Sequence, residues 1–195
     1  MDIKELKEYA LENNIPIIQD DGIKFLVEFI KRNNIKSILE IGAAIGYSAI
    51  VMASINDDIT ITTIERNQER YLEAVKNIKK FNLEDRINII FKDAFDANID
   101  DKFDLIFIDA AQGQNIHFFE KFERNLNKYG HIITDNMNFH GLTDVSPSEI
   151  ESRNVRQLVR KINEYKEFLF SRNDYEVEIL NIGDGIAVCQ KKEIE

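Results

Sequence analysis

Tryptophan is missing from this 195-residue chain, cysteine occurs once and proline twice. A single cysteine, Cys189, leaves nothing for an internal disulfide framework, and its apolar neighbours mark it as a buried structural thiol. No apolar run comes near the ~20 residues that a helix needs to cross a bilayer, so no membrane partner is expected. The opening MDIKELKEYA is charged and helix-forming, unlike a secretory signal, and a cytoplasmic location is expected. Positive charge is also short. Against 35 Asp and Glu stand 25 Lys and Arg, a net charge of -10 that by itself argues against a nucleic-acid partner. The deficit is uneven, however: residues 151–172 hold six basic and three acidic side chains, so that segment carries +3 while the remainder carries -13.

What is present is an ordinary globular composition, 44% hydrophobic and 31% charged, at a length that suits one domain. Residues 1–195 are read as that single domain, with a helical segment over 1–35 and a Rossmann-like core over 36–195. A polar helix is expected over 2–13, ended by Pro16, and an amphipathic one over 17–32. Apolar runs at 38–41, 59–64, 87–91, 105–108 and 132–134 then alternate, for the most part, with stretches of helical period. Tyr71, Val75 and Ile78 mark one such helix, and Phe118, Phe122 and Leu126 another. Strand and helix taking turns imply a parallel sheet covered on both faces. The rhythm changes at the end: a long helix from about residue 151, then strand-like runs at 175–180 and 186–189 joined through Gly183-Asp184-Gly185. So short a turn demands antiparallel pairing. The expected fold is α/β, a seven-stranded mostly parallel sheet whose last strand is antiparallel.

The stretch 37–48, SILEIGAAIGYS, joins a buried strand to a helix through a glycine turn. Gly42 lets backbone approach a ligand closely, Gly46 keeps the helix start free of bulk, and N–H groups at that start would face whatever sits above. Ala44 and Tyr47 stand where a dinucleotide fingerprint needs glycines. Glu40, two places before the first glycine, suits a ligand with a cationic amine better than one with a pyrophosphate. The stretch resembles the first motif, E-x-G-x-x-x-G, of the S-adenosylmethionine-dependent methyltransferases; an ordinary strand-to-helix turn is the plain alternative. Glu65 closes the second strand at the distance where an acid takes ribose hydroxyls, and Asp93-Ala94 follows the third. Methyltransferases commonly place an acid near the adenine amine at that third position.

Strands four and five end in FDLIFID and HIITDN, which should bring Asp109, Asp135 and Asn136 to one edge. Two carboxylates so close repel unless a cation or proton lies between them, and an all-oxygen set without cysteine fits a hard ion such as Mg²⁺. Two unrelated strand-end aspartates capping helices are the alternative. FIDAAQGQ followed by TDNMNFHG, with E-x-G-x-x-x-G-Y-S upstream, resembles the metal-dependent O-methyltransferases of the catechol and caffeoyl-coenzyme A type. Within that group the likeness is to bacterial enzymes that methylate 5-hydroxyuridine in tRNA, and it runs essentially the whole chain. The resemblance implies a class I methyltransferase fold and metal ligation by Asp109, Asp135 and Asn136, with Asp109 also catalytic. It implies cofactor contacts from Ile18, Glu40, Gly42, Ser48, Glu65, Asp93, Ala94 and Asp109. Relatives often carry a lysine three places after the first metal aspartate as general base; here that place is Gln112, which has no basic nitrogen. His140 is either an assistant in proton removal or a loop bystander, while His117 and His131 are assigned to a helix surface and a strand edge.

Arg153, Arg156 and Arg160 fall opposite the apolar stripe of Val155, Leu158, Val159, Ile162 and Leu169. They read either as a solvated face or as a phosphate rail beside the metal loop. The expected acceptor is 5-hydroxyuridine at the tRNA wobble position, since an anticodon loop presents unstacked bases. A small phenol or catechol shares every motif and is the alternative; a non-catalytic cofactor-binding or tRNA-binding module is the alternative of another class. A homodimer is the expected assembly.

Overall fold

A computed structural model describes residues 2–193; Met1, Ile194, Glu195 and the side chain of Gln112 lie outside the described part. The helix α1 (Ile3–Glu12) opens on a capping box in which Asp2 and Glu5 exchange side-chain and backbone hydrogen bonds. The helix α2 (Asp20–Arg32) starts three residues later than its periodicity predicts. Residues 15–19 form no helix: proline disfavours the α conformation before it, and Gln19, which caps α2, is extended.

Seven strands form one sheet in the order β3-β2-β1-β4-β5-β7-β6. They are β1 (Ser37–Ile41), β2 (Thr60–Glu65), β3 (Ile87–Phe91), β4 (Phe103–Ile108), β5 (Leu126–Thr134), β6 (Tyr175–Leu180) and β7 (Ile186–Lys191). The first five pair in parallel, and β7 runs antiparallel to both β5 and β6, so the one reversed strand is the last. The helices α3 (Tyr47–Ala53), α4 (Gln68–Lys80), α5 (Asn115–Phe122) and α6 (Arg153–Ser171) complete the main elements.

One apolar cluster joins α1, α2 and α3 to one sheet face through residues such as Leu6, Leu26, Ile50 and Leu105. A second, with Phe119, Phe122, Tyr165 and Ile106, lies on the other face under α5 and α6. Cys189 sits fully buried in this second cluster, as expected, with its thiol pKa pushed up to about 12 by burial. Leu126 does not continue α5. The chain breaks there because buried Asn125 donates its amide to the carbonyls of Ile99 and Asp101, and Leu126 opens β5. His117 is exposed on α5, as expected; His131 is buried, packed edge-on against Phe29 with ring centroids 4.9 Å apart.

Chain order reverses between β1 and β4, and open α/β sheets bind ligands at the carboxyl edge of such a switch point. Register fixes what lies there. Ile41 pairs with Ile108 and Ile108 with Thr134, so Gly42, Asp109 and Asp135 are consecutive along that edge. The ladder runs one step further, through Asp109 N donating to Ile41 O (3.0 Å) and Asp135 N to Ile108 O (3.1 Å).

Candidate active site

A cavity of about 550 Å³ opens over this edge. Gly42 forms part of its floor with φ +104°, and a Cβ there would lie 2.1 Å from the Asp109 carbonyl oxygen. Only glycine allows both the conformation and the approach. The turn uses its own N–H groups: those of Gly42 and Ala43 donate to Ile64 O, that of Ala44 to Glu65, and that of Gly46 to Ala43 O. These bonds belong to residues 42–46, whereas the N–H groups expected to face a ligand are those at the start of α3, which opens at Tyr47.

Of the cofactor residues expected, Ile18, Gly42, Ser48, Glu65, Asp93, Ala94 and Asp109 all line this cavity. Glu65 is buried, one oxygen accepting from Ala44 N (2.9 Å) and the other from Asn67 N (2.7 Å), which fixes its carboxylate at the rim. Asp93 accepts from Phe95 N and pairs with Arg66 at 3.3 Å. Glu40 differs from its expected place. It does not line the cavity but lies fully buried beneath it, one oxygen accepting from the Ser48 hydroxyl and the other from Thr63 Oγ1 at 2.5 Å. Burial pushes its pKa up to about 7; the two hydroxyls oppose that shift and Glu65 adds to it. Glu40 therefore acts on the cavity through Ser48, whose hydroxyl it holds.

Asp109, Asp135 and Asn136 do come together. Asn136, held at φ +65°, donates its amide to Asp109 Oδ1 at 3.1 Å. Burial raises the proton affinity of Asp109, and Asp135 and then Glu40 raise it further. Burial also raises that of Asp135; the Asn136 backbone N–H opposes this and Asp184 reinforces it. Among the described residues neither aspartate has a Lys, Arg or His partner. Nor does any group of three or more His, Cys, Asp and Glu side chains among them converge as a metal site. Two under-compensated carboxylates and one amide nevertheless form an all-oxygen donor set that suits a hard divalent cation, once the amide turns its oxygen inward.

The three arginines fare unequally. Arg153 is exposed at the start of α6, but Arg156 turns back to the carbonyls of Ile150 (2.5 Å) and Glu151 (3.2 Å), tying down the helix entry. Arg160 pairs with Glu164 at 3.1 Å. Arg153 is thus free of a side-chain partner among the described residues, Arg156 is engaged by loop carbonyls, and Arg160 stays largely exposed beside its i,i+4 acid. Sequence reasoning missed Tyr47, Arg66, Arg70, Lys92 and Phe118 as cavity residues. Phe118 was legible only as a core position of a helix, and the basic residues carry no motif.

A profile of the O-methyltransferase family matches residues 2–192. A caffeoyl-CoA O-methyltransferase of Populus kitakamiensis is 28% identical, the match covering 97% of this chain and 86% of the relative. A flavonoid 3',5'-methyltransferase of Vitis vinifera is 28% identical over the same shares. Among solved structures, a candidate caffeoyl-CoA O-methyltransferase from Staphylococcus aureus is 40% identical with a TM-score of 0.94, covering 98% of this chain and 93% of that one. A Bacillus cereus O-methyltransferase solved with SAH shares the fold at a TM-score of 0.84 and 24% identity, over 97% and 90%. With a carboxyl-edge cavity, a glycine turn beneath it and a family match spanning the described sheet, the chain belongs to the O-methyltransferase family.

Proposed function

We propose that the chain methylates a hydroxyl flanked by a second oxygen on a small phenolic acceptor of the catechol or caffeoyl-coenzyme A type, using S-adenosylmethionine and Mg²⁺. The observation that carries this reading is the meeting of Asp109, Asp135 and Asn136 at the edge of the cavity that Gly42 floors. Ile18, Ser48, Glu65, Asp93 and Ala94 would hold the cofactor, and Asp109, Asp135 and Asn136 the ion. When bound, the cofactor supplies an electrophilic methyl on a sulfonium, and the ion a positive charge that favours the oxyanion of a chelated hydroxyl. The chain's own part is placement: carboxylates set by strand register, a hydroxyl fixed by Glu40, and Phe118 shielding one wall. Orientation of this kind is worth roughly 7 to 11 kcal/mol where it is complete. The relatives named for caffeoyl-CoA and flavonoid substrates support the small-phenol reading.

Wobble 5-hydroxyuridine of tRNA is the second reading. It is favoured by the basic first half of α6, where Arg153 is free and Lys161 Cδ lies 3.2 Å from a Cβ built on Gly113, two residues past the cavity-lining Ala111. Its O5 and O4 offer the same pair of adjacent oxygens. Parallel assays on catechol, caffeoyl-coenzyme A and tRNA lacking the modification separate the two, and turnover of tRNA alone overturns the small-phenol reading. Asp135→Ala is expected to abolish turnover while leaving S-adenosylmethionine affinity within about threefold by calorimetry, since an open-site ligand set is lost and the cofactor wall is not. Full activity in the presence of a chelator overturns the role given to the ion.

A further inference from the structure

Gln112 has no nitrogen that can take a proton, so the chain needs another acceptor for the hydroxyl hydrogen. Most titratable groups lining the cavity are committed. Glu65 is held by two backbone N–H groups, Asp93 by Phe95 N and Arg66, and Arg66, Arg70 and Lys92 are cations. His140 is the cavity's one imidazole among the described residues. It stands on the loop that leaves Asn136, at φ +56°, a left-handed conformation that a non-glycine residue keeps only where its surroundings hold it. That conformation is held by one carboxylate. Asp184, 5% exposed in the β6–β7 turn, accepts from the His140 backbone N–H at 2.5 Å through Oδ1, and its Oδ2 lies 3.9 Å from His140 Nδ1. Asp184 is itself fixed, its carbonyl accepting from Asn138 N at 2.7 Å.

We infer that His140, oriented by the buried carboxylate of Asp184, is the general base that takes the proton from the acceptor hydroxyl. This inference rests on the methyl-transfer reading above. At 3.9 Å Asp184 Oδ2 is not yet bonded to Nδ1; closing that gap when substrate binds, as catalytic contacts commonly do, would set the tautomer that leaves Nε2 unprotonated. The hydroxyl proton passes to Nε2 as the oxygen–methyl bond forms and the sulfonium–methyl bond breaks, giving an ether and a neutral sulfide. The imidazolium then releases its proton to water, to which the side chain is 71% exposed. His140 is the catalytic residue of this pair and Asp184 a positioning residue.

The test compares full-length wild type, His140→Ala, His140→Gln, Asp184→Asn and Lys161→Ala, each with Mg²⁺ and S-adenosylmethionine. Two acceptors are used: catechol, and 4-nitrocatechol, whose hydroxyl is more acidic and needs a base less. Both His140 variants are expected to lose about 100-fold or more in kcat on catechol, a typical share for a general base, and under about tenfold on 4-nitrocatechol. Added imidazole should restore part of the catechol rate of His140→Ala, and cofactor affinity should stay unchanged. Asp184→Asn should fall between wild type and His140→Ala, with the same dependence on acceptor acidity. Equal losses on the two acceptors, or an acceptor-dependent loss that follows Lys161→Ala instead, overturns the assignment while leaving methyl transfer intact. A wild type inactive on both phenols overturns the small-phenol reading and this inference with it.

Discussion

Glu40 lies under the cavity floor with each carboxylate oxygen on a hydroxyl, Ser48 on one side and Thr63 on the other. Two neutral donors do not offset complete desolvation, so its pKa stands at about 7 against an ordinary 4.5. The sign of the linkage follows. Between those values the folded chain keeps a proton that the unfolded chain has released, so stability falls as pH rises through that window, by on the order of 3 kcal/mol in all. Asp109 and Asp135 are shifted in the same direction and add to the slope. Glu40→Gln retains an acceptor and removes the charge. We expect urea midpoints of the cofactor-free wild type to drop between pH 5 and pH 8, and the variant to drop less. Identical slopes would show that Glu40 is not the proton carrier described.

The turn between β6 and β7 shapes the loop that carries Asn136 and His140. Gly185, at φ +85°, accepts from Met137 N at 2.9 Å, and a Cβ on it would lie 2.6 Å from Asn138 Cγ and 2.9 Å from Asn138 N. Gly185→Ala should therefore displace residues 136–140 without opening the sheet. The expected cost is about 2–3 kcal/mol of stability and about tenfold or more in turnover, with cofactor affinity nearly unchanged, read by urea titration, initial rates and calorimetry. The alternation of strands, the reversed last strand and the ligand edge were legible because each is written in a local period or a short turn. Asp109, Asp135 and Asn136 were legible for the same reason, each closing an apolar run. The His140–Asp184 contact spans 44 residues, and no local pattern announces it. Burial of Glu40 and diversion of Arg156 to loop carbonyls were hidden likewise, since a wheel or a motif fixes a direction and not a partner.

Across the whole molecule, one guanidinium outside the cavity lining joins the ends of three elements. Arg172, just past α6, binds Asp174 through two nitrogens (2.8 and 2.6 Å) and Glu123, after α5, at 2.5 Å. Its Cζ lies 5.0 to 5.6 Å from the ring centres of Phe119, Phe168 and Tyr175, the last of which opens β6. Removing the cation leaves two acids facing one another in an aromatic pocket. Arg172→Met should cost about 1.5–3 kcal/mol, the range for hydrogen bonds to charged groups, because the cluster is only part-buried. For a domain of this size that is roughly 2–4 °C in Tm per kcal/mol. Arg172 also holds Asp174 below its ordinary pKa of 3.8, a contribution present above that value and lost as pH falls through the folded one. The variant should therefore lose more stability at pH 7 than at pH 3, where neutral acids no longer repel. Cofactor affinity of the folded fraction should match wild type, because none of these residues lines the cavity except through the packing of α5. A variant equally destabilised at both pH values would mean that Arg172 acts by filling space between the rings, and that its charge contributes little.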